Sequence, residues 1–176
     1  MYVGAEVSIG SFLINYFSQP YIAGLTPLAA ANLVPFYWGG AMVGRFVGSA
    51  VLQRVKTRTL LSLCALISTL LVVVSMLTGG HVAMWSILLV GLFNSIMFPS
   101  IFTLGIAEMG PLTGEASGLL VTAIVGGALI PEMQGLLADH IGIHHAFVIP
   151  VACYLFIAYY GAKGSQVRNP VLGQIA

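Results

Sequence analysis

Charge is what this sequence has least of. Only 6% of its 176 residues are Asp, Glu, Lys or Arg, against about a quarter in a soluble domain. A water-facing surface of ordinary size cannot be built from that supply, so a soluble globular domain is excluded. The six basic residues are spread along the chain and form no phosphate-binding stripe, which excludes nucleic acid as a partner. Cysteine is also scarce. Cys64 and Cys153 stand inside apolar runs at no metal or redox spacing and read as small apolar filler. There is no phosphate-cradling glycine loop, no nucleophile motif and no GxGxxG, so no enzyme active site is visible. His140 and His144 have an i, i+4 spacing, and Asp139 and His145 lie beside them, but the carboxylate of a zincin motif is missing. A solvated loop is expected there, with no metal, and no cofactor is implied.

What the chain does have is apolar length. Hydrophobic residues make up 59% of it, with a mean hydropathy of +1.01. A helix needs about 20 residues to cross the hydrocarbon core. Six runs approach or exceed that length, at about 2–18, 29–53, 59–77, 82–107, 116–138 and 146–162. Gln19-Pro20 closes the first, and Thr78-Gly79-Gly80 closes the third. The runs are too long and too continuously apolar for barrel strands, which alternate with period two. The expected fold class is therefore all-α: a polytopic membrane protein of six transmembrane helices.

Orientation follows from the basic residues. Arg54, Lys56 and Arg58 crowd the second gap, and Lys163 and Arg168 follow the last run. With an even number of spans these all fall on one face, which is then cytoplasmic together with the C-terminus. The opposite gaps contain no Lys or Arg. Tyr16, Tyr21, Trp85, Tyr159 and Tyr160 stand near run ends, as interfacial anchors do. The first run is short and lacks both a basic flank and a signal-peptide pattern, so the chain is expected to begin inside a helix, as a fragment would.

Polar residues at membrane depth are expensive and mark candidate sites. Asn94 lies near the middle of the fourth run, five residues before Pro99. It is placed either to line a cavity or to glue helices together. Glu6 in the first run is a candidate ion or hydroxyl site, or an interfacial acid. Ser8, Ser11, Asn15 and Ser18 share one helical face, with Glu6 on roughly the opposite side. In the fifth run Glu132 follows Pro131, and Gln134 points away from it. Gln134 is a candidate substrate contact, and Glu132 is a candidate ion-coupling acid or a vestibule residue. Gly40, Gly44 and Gly48 form a doubled small-xxx-small pattern suited to close helix packing. Arg45 within it, with Arg54 and Arg58, is a candidate gating latch at the inner face.

Several of these segments resemble one family. Tyr2-Val3-Gly4-Ala5-Glu6-Val7-Ser8-Ile9-Gly10-Ser11-Phe12 resembles the opening of the seventh helix of bacterial glucose/galactose and fucose permeases. Gly44-Arg45-Phe46-Val47-Gly48-Ser49 followed by Gln53-Arg54 resembles their loop 8–9 region. Phe93-Asn94-Ser95-Ile96-Met97-Phe98-Pro99 resembles the tenth helix, and Gly135-Leu136-Leu137-Ala138-Asp139 with Gly142 the eleventh. The resemblance is to the major facilitator superfamily and covers nearly the whole chain in order. It implies helices seven to twelve of a twelve-helix transporter, with one domain over 1–176 truncated at its N-terminus. It also implies a missing N-terminal six-helix half that in the fucose permease carries the acids coupling protonation. Fucose permease carries an amide where this chain has Glu6, so the glucose/galactose branch fits better.

The expected activity is secondary active transport of a monosaccharide by alternating access across the bacterial inner membrane, with co-transported H+ or Na+. The sequence does not specify which sugar or which ion. The lipid bilayer, the sugar and the other half are the expected partners. Asn94, Gln134, Asn15 and Glu6 are expected to contact sugar hydroxyls. Phe98, Phe36 or Tyr37 would stack on the ring. Glu6 or Glu132 would couple the ion, and Arg45, Arg54 and Arg58 would gate. Alternatives from other classes are a self-standing dimeric six-helix channel and a non-transport scaffold subunit.

Overall fold

The computed structural model describes residues 1–165, so Arg168 and the end of the expected domain lie outside the described residues. Among the described residues every regular element is helical. The α-helices are α1 (Tyr2–Phe17), α2 (Pro27–Ala31), α3 (Val34–Leu52), α4 (Thr57–Leu77), α5 (Gly80–Asn94), α6 (Met97–Ile106), α7 (Thr113–Thr122), α8 (Gly126–Ile141), α9 (Ile143–Ala146) and α10 (Val148–Tyr159), with short tighter or wider turns of helix at Gly110–Leu112, Ala123–Val125 and Tyr160–Gly164. Several of these are pieces of longer helices. Thr57–Leu77, Gly80–Ile106, Gly110–Ile141 and Ile143–Gly164 are each long and apolar enough to cross a membrane. Helices suit that setting because they satisfy their own backbone groups in lipid.

The breaks have local causes. Pro99 is the third residue of α6, where a missing N–H costs no helical bond. The chain therefore breaks just ahead of it, at Ser95-Ile96. Ser95 Oγ donates to the Leu92 carbonyl at 2.8 Å. Pro35 is likewise the second residue of α3, and Asn32-Leu33 separates it from the short α2. Between α7 and α8 the chain tightens into a 3-10 turn at Ala123–Val125. That break precedes Pro131, through which α8 continues. Gly142, at φ +84°, ends α8 in a backbone conformation open to glycine.

Packing follows the small residues. α5 lies between α3 and α4, α4 packs on α10, and α1 packs on α8 and α10. A Cβ at Gly44 would stand 2.1 Å from the Leu92 carbonyl oxygen, and one at Gly48 would stand 2.2 Å from Ile96 Cγ2. The glycine stripe of α3 therefore seats it directly on α5. A Cβ at Gly4 would stand 2.3 Å from Ile130 Cγ1, so α1 meets α8 just as closely.

Two expectations change around the α8–α9 turn. Tyr16 is no interfacial anchor: it is fully buried and donates to the Ser75 carbonyl at 2.8 Å. His144 does not sit in a solvated loop. α8 and α9 are separated only by Gly142, and His144 of α9 is half-buried against α4 and α1, bonded to the Met76 carbonyl and stacked on Tyr16.

Candidate functional site

α1 is the axis of the candidate site. It buries Tyr2, Ala5, Ile9, Leu13 and Tyr16. At about 100° per residue, Gly10, Ser11 and Asn15 fall in the arc between Glu6 and Ser8 on the other side. Ser11 and Asn15 are exposed there. The polar stripe is thus divided. Ser8 lies at its edge and is enclosed by α8, while Ser11 and Asn15 stay open.

One flank of this open strip belongs to α8. Ser8 Oγ donates to Gln134 Oε1 at 2.6 Å, and both residues are fully enclosed. Gln134 Nε2 is buried with no hydrogen-bond partner. A flip would exchange the two ends of the amide and still leave one unmatched. Such a group costs on the order of 1–3 kcal/mol unless something else satisfies it.

The other flank belongs to α3. Glu6 is half-buried, and the Tyr37 hydroxyl donates to its backbone carbonyl at 3.3 Å. Arg45 lies within electrostatic range of the Glu6 carboxylate. Neither charge can face lipid comfortably, so this side must meet a polar space or a partner.

Asn94 sits behind α1, fully buried. Its Nδ2 donates to the Tyr37 hydroxyl at 2.8 Å, and the Tyr154 hydroxyl donates to its Oδ1 at 2.8 Å. The Tyr2 hydroxyl donates to its backbone carbonyl at 2.8 Å. The side-chain amide thereby ties α5 to α3 and α10, and the backbone carbonyl of the same residue holds α1. These tyrosines were not read from sequence as its partners. The available signal was that a phenol at membrane depth needs a mate.

The remaining expected site residues are dispersed. Phe98 packs on Tyr2, with ring centroids 6.2 Å apart, and borders an apolar cavity of about 300 Å³ beyond the start of α1. Tyr37 is enclosed. Phe36 meets Trp85 edge-on at 6.2 Å, on the α5 side of α3. Glu132 is exposed on α8, away from Glu6's flank. Arg54 is exposed at the α3–α4 turn. Arg58, expected at a gate, donates to the Ala162 carbonyl at 2.8 Å and so binds α4 to the end of the last helix of the same bundle.

No family model matches the chain. It is 52% identical over 166 residues to the glucose/galactose transporter of Brucella abortus, covering 94% of this chain and 40% of that protein. It is 43% identical over 168 residues to a putative glucose/galactose transporter of Helicobacter pylori, covering 93% of this chain and 41% of that protein. It is 36% identical over 173 residues to the L-fucose-proton symporter of Escherichia coli, covering 96% of this chain and 38% of that protein. The crystal structure of the major facilitator superfamily transporter FucP in its outward conformation superposes with a TM-score of 0.89 at 34% identity, covering 94% of this chain and 40% of FucP. The chain thus spans about two fifths of the length of the curated relatives it matches.

Proposed function

We propose that this chain is the C-terminal portion of a major facilitator superfamily transporter of the glucose/galactose and fucose type, whose members it resembles in sequence and fold, and that it serves secondary active transport of a monosaccharide of the glucose or galactose type. The observation that carries the reading is the open polar strip of α1, flanked by the half-buried Glu6 and by a Gln134 amide with one end unmatched.

A sugar offers many hydroxyls, each both donor and acceptor. The strip answers with acceptors at Glu6, both functions at Asn15 and Ser11, and a donor at Gln134. Gln134 is enclosed by α1 in this arrangement, so it reaches substrate only when α8 shifts on α1. Alternating access rocks two six-helix halves about a central site, and uncovering Gln134 needs in addition a bend of α8 on α1 within this half, for which the 3-10 turn at Ala123–Val125 is the hinge. An N-terminal half completes the machine, in the bacterial cytoplasmic membrane, with the basic gaps on the inner side. Asn94 acts from behind, holding Tyr2 and Tyr37, and through Tyr37 the backbone of Glu6. Glu6 is the candidate for coupling a proton or sodium ion, with Glu132 second, and Phe98 bounds the site below Tyr2. Arg54 remains the gate candidate most open to the other half.

The test is uptake of labelled galactose by the complete transporter in proteoliposomes under an imposed sodium or proton gradient. Accumulation is expected in the native protein, with strong loss in Glu6→Gln and Gln134→Leu. Native kinetics in both variants would remove the site assignment, and failure of every hexose would remove the function.

A further inference from the structure

Trp38 directly follows Phe36 and Tyr37, two aromatics expected to stack on a sugar, and like Tyr37 it is turned toward α1. Its indole rests on Gly10, where a Cβ would stand 3.1 Å from Cζ2. Tyr37 packs against it at 5.2 Å and 81°, which fixes the plane of the ring. The indole is nonetheless 46% exposed. Arg45 is seven residues further along α3, two turns on and about 20° away in rotation, so it shares this face. Glu6 is four residues from Gly10 on α1, one turn away on the same side.

The two helices run in opposite directions, so both steps lead the same way from the Gly10–Trp38 contact. Glu6 is then displaced by about 6 Å and Arg45 by about 10 Å at 1.5 Å per residue. The guanidinium stem spans the small remaining offset, and this agrees with the electrostatic reach between Arg45 and Glu6. The result is an exposed indole plane, a carboxylate and a guanidinium along one groove between α1 and α3.

We propose that Trp38, Glu6 and Arg45 form a pyranose subsite of this half, resting on the sugar-transport reading above. The ring's C–H face lies on the indole. Glu6 accepts from two neighbouring hydroxyls, and Arg45 donates to sugar oxygens in its planar fork. Arg45 is thus a binding residue and not an inner-gate latch. It also neutralises Glu6 when no ion or substrate does.

The test uses the complete transporter in proteoliposomes. Trp38→Ala should raise KM for the transported sugar by about tenfold, and Trp38→Phe by less than about threefold, because a ring plane remains. Arg45→Lys should raise KM by about fivefold or more, since a point charge lacks the fork. Met42 lies between Trp38 and Arg45 and is 64% exposed, so Met42→Cys should react with a maleimide, and the transported sugar should slow that reaction while mannitol does not. Cys64 and Cys153 are buried and contribute little background. If the native protein transports but Trp38→Ala and Arg45→Lys keep the native KM, or the sugar leaves labelling unchanged, the subsite is wrong while the function stands. If no hexose is transported and none protects Met42→Cys, the function falls, and the subsite with it.

Discussion

Asn94→Ala should destabilise this bundle by about 2–4 kcal/mol. The change removes two side-chain hydrogen bonds, to Tyr37 and from Tyr154, each 2.8 Å long and fully enclosed. Interhelical hydrogen bonds in membrane proteins average about 0.6 kcal/mol and reach about 1.7, so the two together are worth about 1–3 kcal/mol. Alanine also orphans the Tyr154 hydroxyl, whereas Tyr37 keeps its bond to the Glu6 carbonyl. A buried donor left unmatched adds about 1–3 kcal/mol, partly overlapping the lost bond. Tyr154→Phe removes that donor in advance. In its background Asn94→Ala should therefore cost about 1 kcal/mol less. The assay is reversible unfolding of the purified protein in mixed micelles, run as a double-mutant cycle. A loss below about 0.5 kcal/mol for Asn94→Ala, or strict additivity with Tyr154→Phe, would refute the idea that this amide ties the helices together.

Other outcomes follow from the same packing and polar accounts. Gly44→Val should abolish stable protein or cost about 3 kcal/mol or more, since its Cβ meets the Leu92 carbonyl oxygen at 2.1 Å, while Gly39→Ala, with open space around it, should be near neutral in the same unfolding assay. Gln134→Leu should impair uptake while costing less than about 1 kcal/mol of stability, because the loss of the bond that Ser8 Oγ donates to Oε1 is offset by deletion of the unmatched Nε2. A stability loss above about 1 kcal/mol would mean that the amide is satisfied after all. His144→Ala should cost about 1–2 kcal/mol by removing the tie to the Met76 carbonyl and the stack on Tyr16. An unchanged unfolding midpoint would show that this tie is slack.

Much of the fold was legible because lipid enforces long apolar helices, and run length survives in a single sequence. The doubled glycine stripe was readable too, since Gly40, Gly44 and Gly48 repeat every four residues and admit only close approach. Rotation was not readable. Phe36, Trp38 and Tyr37 are consecutive and almost equally apolar, yet one meets Trp85, one meets Gly10 and one is enclosed. Which does which depends on the neighbours of α3, and those are set by contacts tens of residues away. Asn94 was legible as important, but its partners lie 57 and 60 residues off. In the fifth run α8 continues through Pro131, and the break falls at the Ala123–Val125 turn, directly ahead of Gly126-Gly127, where contacts with neighbouring helices decide it.

The central claim is that the face of α1 between Glu6 and Gln134 is one wall of a sugar site. Counterflow of labelled galactose in proteoliposomes of the complete transporter, native against Glu6→Gln/Gln134→Leu, tests it most directly. Sugar-dependent exchange in the native protein that the double variant loses is the predicted result. Equal exchange in both, or none in the native protein with any hexose, would contradict it.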